Sequence, residues 1–550
     1  METLFYNAKV YLEREKFAEA VLVKEGLISK VGTSEELLKI AQKDCKKIDC
    51  HGKTIIPGLN DSHMHLLVLG ESLQTVKLTN SKSVDEIIER CRKFIKENPE
   101  LSKNGVFAIG WNQDLFEGDK RIPNRHDADK ISTEIPIILR RVCGHLMVSN
   151  TKAIEMLGID GNSEQFEGGT FEIGEDGYPN GIFTENACRQ LRKVIPEFSL
   201  EDRERMAVEA MKHAVSFGVT SVQSNDLGAV VLGEKDKYFK MFRKIYEEGK
   251  GLLRYHHQIT FQSPEELKNY AENGELAKGN YPEDSWVTLG PLKLFKDGSL
   301  GARTAMLEND YADDPGNRGE ERFDEKYIEE LCKAADEHGI QVVTHVIGDA
   351  AINSVMKTYE KLIKNGKNPL RHALIHCQIT NKAMLENIAK NNVLVMYQPI
   401  FLDYDMHIVE SRCGKELAST SYAFNTLDKL GGKISYGTDC PVEGCNPFPN
   451  IYCAVTRKDL KGNPEGGFYP EECVDIYTAV DAYTEGSAYA EFMENKKGRI
   501  KEGFYADMVI LDKDIFTVDP SEIKDIQPIL TMVGGKVVYE KNNMEIVKFE

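Results

Sequence analysis

The chain has no excess of positive charge: 69 Lys and Arg stand against 88 Asp and Glu, a formal charge of −19 over 550 residues. That balance repels a phosphate backbone and excludes nucleic acid as the expected partner. The sequence also has no apolar run near the ~18 residues of a membrane span, and its first residues, METLFYNAKVYLEREKF, form neither a basic leader nor an apolar one. No membrane association is expected, and the expected compartment is the cytoplasm. The twelve cysteines contain no CxxC pair, so free thiols in a reducing compartment are the simple reading. No repeat and no low-complexity segment is present.

What is there is ordinary globular material, 41% hydrophobic and 29% charged, long enough for several domains' worth of core. Eight apolar, β-rich runs that end in polar residues alternate with amphipathic helical stretches: TIIPGLNDSHMH, GVTSVQSND, LLRYHHQIT, GPLKLFKDG, IQVVTHVIGD, HALIHCQIT, VLVMYQPIF and KISYGTDCP. Eight βα units predict an α/β fold of the (β/α)8 TIM-barrel type, over residues 57–499. About 130 residues separate the first two runs, far beyond a normal βα connection. Residues 72–205 are therefore expected to form an inserted subdomain after strand 1, with VDEIIERCRKFIKE as a helix and GVFAIGW and IPIILRRV as strands. Residues 1–56 and 500–550 share a texture of short strands and glycine turns, and are expected to pair into a small β-sandwich.

The C-terminal ends of the predicted barrel strands carry His63, His65, Lys293, His345, His376 and Asp439, and barrel active sites lie at that face. With 13 histidines, an H-x-H is expected by chance about 0.3 times, so His63-Met64-His65 is a weak motif alone. Its place at a strand end strengthens it, because a period of two turns both imidazoles to one side, where they can share a metal ion. His256, His257 and His372 read instead as hydrogen-bonded structural residues. Asp439 has a second reading, the N-cap of the following helix.

These residues carry a resemblance. Pro57-Gly58-Leu59-Asn60-Asp61-Ser62-His63-Met64-His65 resembles the P-G-x-x-D-x-H-x-H signature that opens the barrel of amidohydrolase-superfamily metal-dependent hydrolases. KLFKDGSLGARTA, THVIGDAAI, RHALIHCQ, YGTDCPV and NPFPNIYCAVTR resemble its amidohydrolase 3, YtcJ-like branch, and the similarity runs over essentially the whole chain. The resemblance implies His63, His65, His345 and His376 as metal ligands and Asp439 as ligand and proton acceptor. It implies Lys293 as a carboxylated lysine bridging two metals; a plain ammonium, paired with Asp297, is the alternative.

Two departures stand out: Ile375 where the family commonly has Glu before the strand-six histidine, and Cys440 where an aromatic is frequent. Imidazole and carboxylate donors point to zinc, one or two ions per chain. The implied reaction is hydrolysis of a non-peptide C–N bond in an amide, N-formyl compound or cyclic amide. The substrate is a small molecule, and self-association into a homodimer is left open. A deaminase is the first alternative, although Gly348 stands where deaminases carry a glutamate. A catalytically silent relative of the fold is the second. Trp111, Arg140, His145 and Glu185 in the insert are the candidate substrate contacts.

Overall fold

The computed structural model describes residues 2–228, 235–275 and 286–541. Met1 and residues 542–550 of the expected terminal sandwich lie outside the described residues.

Eight strands form one parallel sheet: β1 (Leu59–Met64), β2 (Val219–Leu227), β3 (Arg254–Ile259), β4 (Val287–Phe295), β5 (Val342–Val346), β6 (Ala373–His376), β7 (Leu394–Tyr397) and β8 (Lys433–Tyr436). Their order in the sheet is their order in the chain. At the seam, Asp439 N–H donates to His63 O at 2.8 Å and His65 N–H to Cys440 O at 2.7 Å. These bonds draw the end of β1 against the segment after β8, and the sheet becomes a nearly closed barrel. Helices such as Glu325–Glu337 and Asp349–Leu362 bury one apolar stripe each, as the helical period of their sequences requires.

The run TIIPGLNDSHMH is not one strand. Thr54–Pro57 pairs with Met508–Leu511 and Lys9–Glu13, and only Leu59–Met64 joins the barrel. The chain changes sheets at Gly58, where a Cβ would lie 2.1 Å from Thr220 Oγ1, so only glycine permits the approach.

Residues near both ends of the described chain build two sheets. One is four-stranded, in the order Leu27–Gly32, Ala20–Lys24, Glu2–Tyr6, Lys46–Asp49. The other is six-stranded and runs from Lys536–Glu540 through Pro528–Val533, Met508–Leu511 and Thr54–Pro57 to Lys9–Glu13 and Lys16–Ala18. Phe5, Val21 and Ile48 of the first share one buried cluster with Val10, Ile55, Ile510 and Met532 of the second.

Gly70–Met206 packs as a separate unit. It holds a six-stranded sheet that includes Val106–Trp111, Ile137–Arg141 and Leu146–Ser149. The helix Val84–Glu97 is capped by Ser83 and buries Ile87, Ile88 and Cys91.

Candidate metal centre

His63 and His65 stand at the C-terminal end of β1, their ring centroids 5.2 Å apart. Each ring is held by its Nδ1. His63 Nδ1 lies 2.7 Å from Gln258 Oε1, and Gln258 Nε2 donates to Ser62 O at 3.0 Å, which turns the amide oxygen toward the imidazole. His65 Nδ1 lies 2.8 Å from Asn225 O. Both acceptors demand a protonated Nδ1, which leaves each Nε2 with a free lone pair. The two Nε2 atoms lie 3.5 and 3.2 Å from Asp439 Oδ1. Among the described residues, these three are the group whose donor atoms fall within 4.8 Å of one another.

His376 and His345 extend the cluster. The His376 ring is 5.7 Å from His63 and 4.5 Å from His345. His345 Nε2 lies 2.9 Å from Gly298 O, so its Nδ1 keeps the lone pair. His376 stacks on Phe401 at 5.5 Å, which orients the ring although the preceding residue is the buried Ile375 and not a polar partner.

Burial holds His63 and His376 well below the ordinary histidine range and pushes His345 down to about 3, with Lys293 adding to the effect in each case. Burial also disfavours charge on His65, but Asp439 outweighs it and raises this one group. Neutral imidazole is the ligating form.

Lys293 is fully buried on β4. Its Nζ lies 3.5 Å from His63 Nε2 and 4.5 Å from the centre of the Phe295 ring. Burial pushes the amine down to about 7, against the pull of Asp439. The alternative ion pair with Asp297 is not formed. The Asp297 carboxylate instead accepts from the N–H groups of Met306, Ile347 and Gly348 at 3.0, 3.0 and 2.8 Å.

Backbone strain gathers here. His376, Cys377 and Asp439 have φ of 73°, 48° and 56°, left-handed conformations that cost about 1–3 kcal/mol each for ordinary residues and concentrate at functional sites. Asp439 does not cap the next helix; Asn446 does, accepting from Phe448 N–H.

Asp61 ties the seam by accepting from Thr438 N–H at 3.0 Å, from the Thr438 hydroxyl, and from His63 N–H at 3.2 Å. Gly437 fits beside it because a Cβ there would fall 2.6 Å from His63 N. Asp226 accepts from Ser224 Oγ at 2.7 Å, Leu67 N–H at 3.1 Å and the Tyr255 hydroxyl, and so clasps the segment that follows His65.

Asp439 Oδ1 and His376 Nδ1 are buried without a hydrogen-bond partner. Buried polar atoms normally find one. Together with the free Nε2 lone pairs of His63 and His65, they form a donor set of imidazole nitrogen and carboxylate oxygen that fits a borderline-soft divalent ion.

Sequence reasoning overlooked Gln258 and Asn225, which hold the His63 and His65 rings, and Asp226, which holds the segment after His65. Their signal was their position, polar residues at the ends of β2 and β3. Of the histidines read as structural, His256 bonds Thr288 Oγ1 at 2.7 Å and His372 accepts from Val342 N–H at 3.1 Å. His257 differs: both its nitrogens are unpartnered, and it packs as an aromatic among Phe239, Phe242 and Tyr255.

The four insert candidates lie in the separate unit. Trp111 is in that unit's core and donates to Leu139 O at 3.0 Å. The Arg140 guanidinium lies over the Phe107 ring at 5.7 Å. His145 Nδ1 and Glu185 Oε2 meet at 3.0 Å on the unit's surface.

The amidohydrolase family profile matches residues 46–539. The chain is 30% identical to YtcJ of Bacillus subtilis (strain 168) over 545 residues, 98% of this chain and 100% of that one. It is 23% identical to an N-substituted formamide deformylase of Arthrobacter pascens, covering 97% of each chain. In three dimensions it is similar to a metal-dependent hydrolase from Pyrococcus furiosus, with a TM-score of 0.74, 29% identity and coverage of 94% of this chain and 100% of that one.

Proposed function

The chain belongs to the amidohydrolase family, and on that premise we propose that it hydrolyses a non-peptide C–N bond in a small amide, N-formyl compound or cyclic amide. The observation that carries this reading is the convergence of His63 Nε2, His65 Nε2 and Asp439 Oδ1, with both Nδ1 atoms tied down behind them. His63, His65, His345, His376 and Asp439 would hold the metal, and zinc suits them best. A bound divalent ion supplies a Lewis acid that polarises the scissile carbonyl and acidifies water.

The chain's own groups do the rest. Asp439 Oδ1, with no competing hydrogen bond, accepts a proton from the attacking water and returns it to the leaving nitrogen, so that carboxylate and amine depart. Burial keeps His63, His345 and His376 neutral, and the hydrogen bonds of His63, His65 and His345 fix their tautomers. Lys293, neutral above about pH 7, is in the form that can add CO2 through its nitrogen lone pair and lose a proton to become a carbamate, which would add a bridging ligand for a second ion. We read the paired terminal sheets as the small sandwich that flanks the barrel, and Gly70–Met206 as the inserted subdomain.

A deaminase is disfavoured on a steric ground. A Cβ on Gly348 would lie 1.9 Å from Met306 O, so this backbone has no room for a shuttle glutamate there. A silent relative of the fold would have no need to preserve the donor set.

The test is a screen of N-acyl amino acids, N-formyl amines and hydantoin-like rings, read as amine release, beside elemental analysis and intact mass. Expected are turnover of one class, one or two metal equivalents, and a CO2 adduct on Lys293. A metal-free, inactive protein after metal-replete expression overturns the reading. An unmodified lysine in an active preparation removes the second ion alone.

A further inference from the structure

The end of the barrel opposite the histidines holds a cavity of about 570 Å³ that nothing in the reaction above uses. Its size lies within the range of small-molecule pockets, about 300–1,000 Å³. The walls come from the N-terminal parts of β3 and β4, from Gln341 just before β5, and from the segment that follows the helix Ser487–Ala490. About 16 Å of strand separate Thr288 on this wall from Lys293, further along β4 at the metal centre.

Two buried polar side chains line the cavity, each with one atom to spare. Glu491 is 7% exposed. Asn60 Nδ2 donates to its Oε1 at 2.6 Å and Lys497 Nζ meets the same oxygen at 2.7 Å, which leaves Oε2 for a ligand. His256 is 8% exposed, and its Nδ1 lies 2.7 Å from Thr288 Oγ1, which leaves Nε2. A Cβ on Gly290 would fall 2.2 Å from that Nε2, so the glycine makes room for the edge of the ring at the cavity wall. Most of the remaining lining is apolar: Leu289, Pro291, Ile340, Phe492 and Met493. Phe492 has φ of 63°, a left-handed backbone that bulky residues seldom adopt and that concentrates at functional sites.

We propose that this cavity binds a small neutral molecule with an apolar body and a primary carboxamide or urea group, its N–H donating to Glu491 Oε2 and its carbonyl accepting from His256 Nε2. The Thr288 hydroxyl then donates to His256 Nδ1 and fixes that tautomer. The charges present select the class of ligand. Lys497 balances Glu491, and burial holds His256 below the ordinary histidine range and therefore neutral. Lys496, which also lines the cavity, is already partnered. A cation would find its countercharge taken, and an anion would face Glu491. A neutral N–H donor gains a charge-assisted bond to the carboxylate, the stronger kind. The site stands on these contacts alone and is independent of the reaction assigned to the metal centre.

The experiment titrates three probes calorimetrically into Asp439→Asn protein, in which turnover cannot interfere: 2-naphthamide, 2-acetonaphthone as its counterpart without N–H, and 2-naphthoate as its anionic counterpart. Expected is an affinity for the amide at least about tenfold above both others, the worth of one hydrogen bond to a charged group. Glu491→Gln should bring the amide down to the level of the ketone. Leu289→Trp, which fills the cavity and leaves its polar groups in place, should abolish binding of the amide. No binding of the amide, equal binding of amide and ketone, or tighter binding of the naphthoate overturns the site. Amide binding that Leu289→Trp leaves unchanged also overturns it, because the ligand then sits elsewhere, the metal centre included. Thermal unfolding checks that each variant folds. If Glu491→Gln does not fold because Lys497 is left unpaired, the ratio of the three probes and the Leu289→Trp result still decide the question.

Discussion

At the scale of single residues, orientation and chemistry belong to different side chains, and substitution separates them. Asp439 carries a buried oxygen with no hydrogen bond, while four histidines remain to hold an ion. Asp439→Asn should therefore keep most of its metal and lose about 10² to 10⁴ in kcat, the usual worth of a general base. Gln258→Leu should behave the other way. The apolar replacement leaves His63 without its Nδ1 partner, and metal affinity should fall by about 10- to 100-fold, with kcat of the fully loaded enzyme changing less. Metal content by elemental analysis, read beside kcat at saturating metal, distinguishes the two. Wild-type-like turnover in Asp439→Asn removes that residue from its assigned role.

At the scale of elements, the barrel depends on one tight seam. β1 and β8 are joined by backbone bonds at Asp439 and Cys440 and by Asp61, which holds Thr438 and His63 together. Gly437 has the His63 backbone and the Asp61 carboxylate in the space its Cβ would take. Gly437→Ala should cost about 1–3 kcal/mol and also lower metal occupancy, because the residue that must shift is His63. Thermal unfolding with a metal titration tests this, and a stable variant with parental metal affinity would contradict it. The eight strands were legible because their apolar runs and polar ends repeat with a constant grammar. The break at Gly58 was not, since Thr54–Pro57 and Leu59–Met64 form one continuous β-rich run and differ only in the partners that distant chain brings.

At the scale of the whole molecule, chain near residue 507 is fastened to the barrel. Arg254 of β3 makes two bonds to Asp507, at 2.7 and 3.2 Å, and lies over the Tyr505 ring at 3.8 Å. Both charges are buried. Asp507→Ala leaves the guanidinium uncompensated and should destabilise the fold by about 3–5 kcal/mol, measured by urea unfolding. A shift below about 1 kcal/mol, the worth of an exposed pair, would show that water reaches this junction.

The sequence by itself determined the barrel and the donor types, because strand period and strand-end chemistry are local properties that a linear pattern records. His63 and His65 face one way for that reason alone. Only the tertiary structure decided which groups aim those rings. Gln258 and Asn225 lie about 160 to 195 residues from the histidines they hold, and their polarity says nothing of their partner. It also decided that Asp297 serves three backbone N–H groups and not Lys293, and that Lys293 is buried beside His63. Pairing over such separations is set when the strands close into a ring and exclude water, and each buried polar atom then takes whichever partner the closure puts within reach.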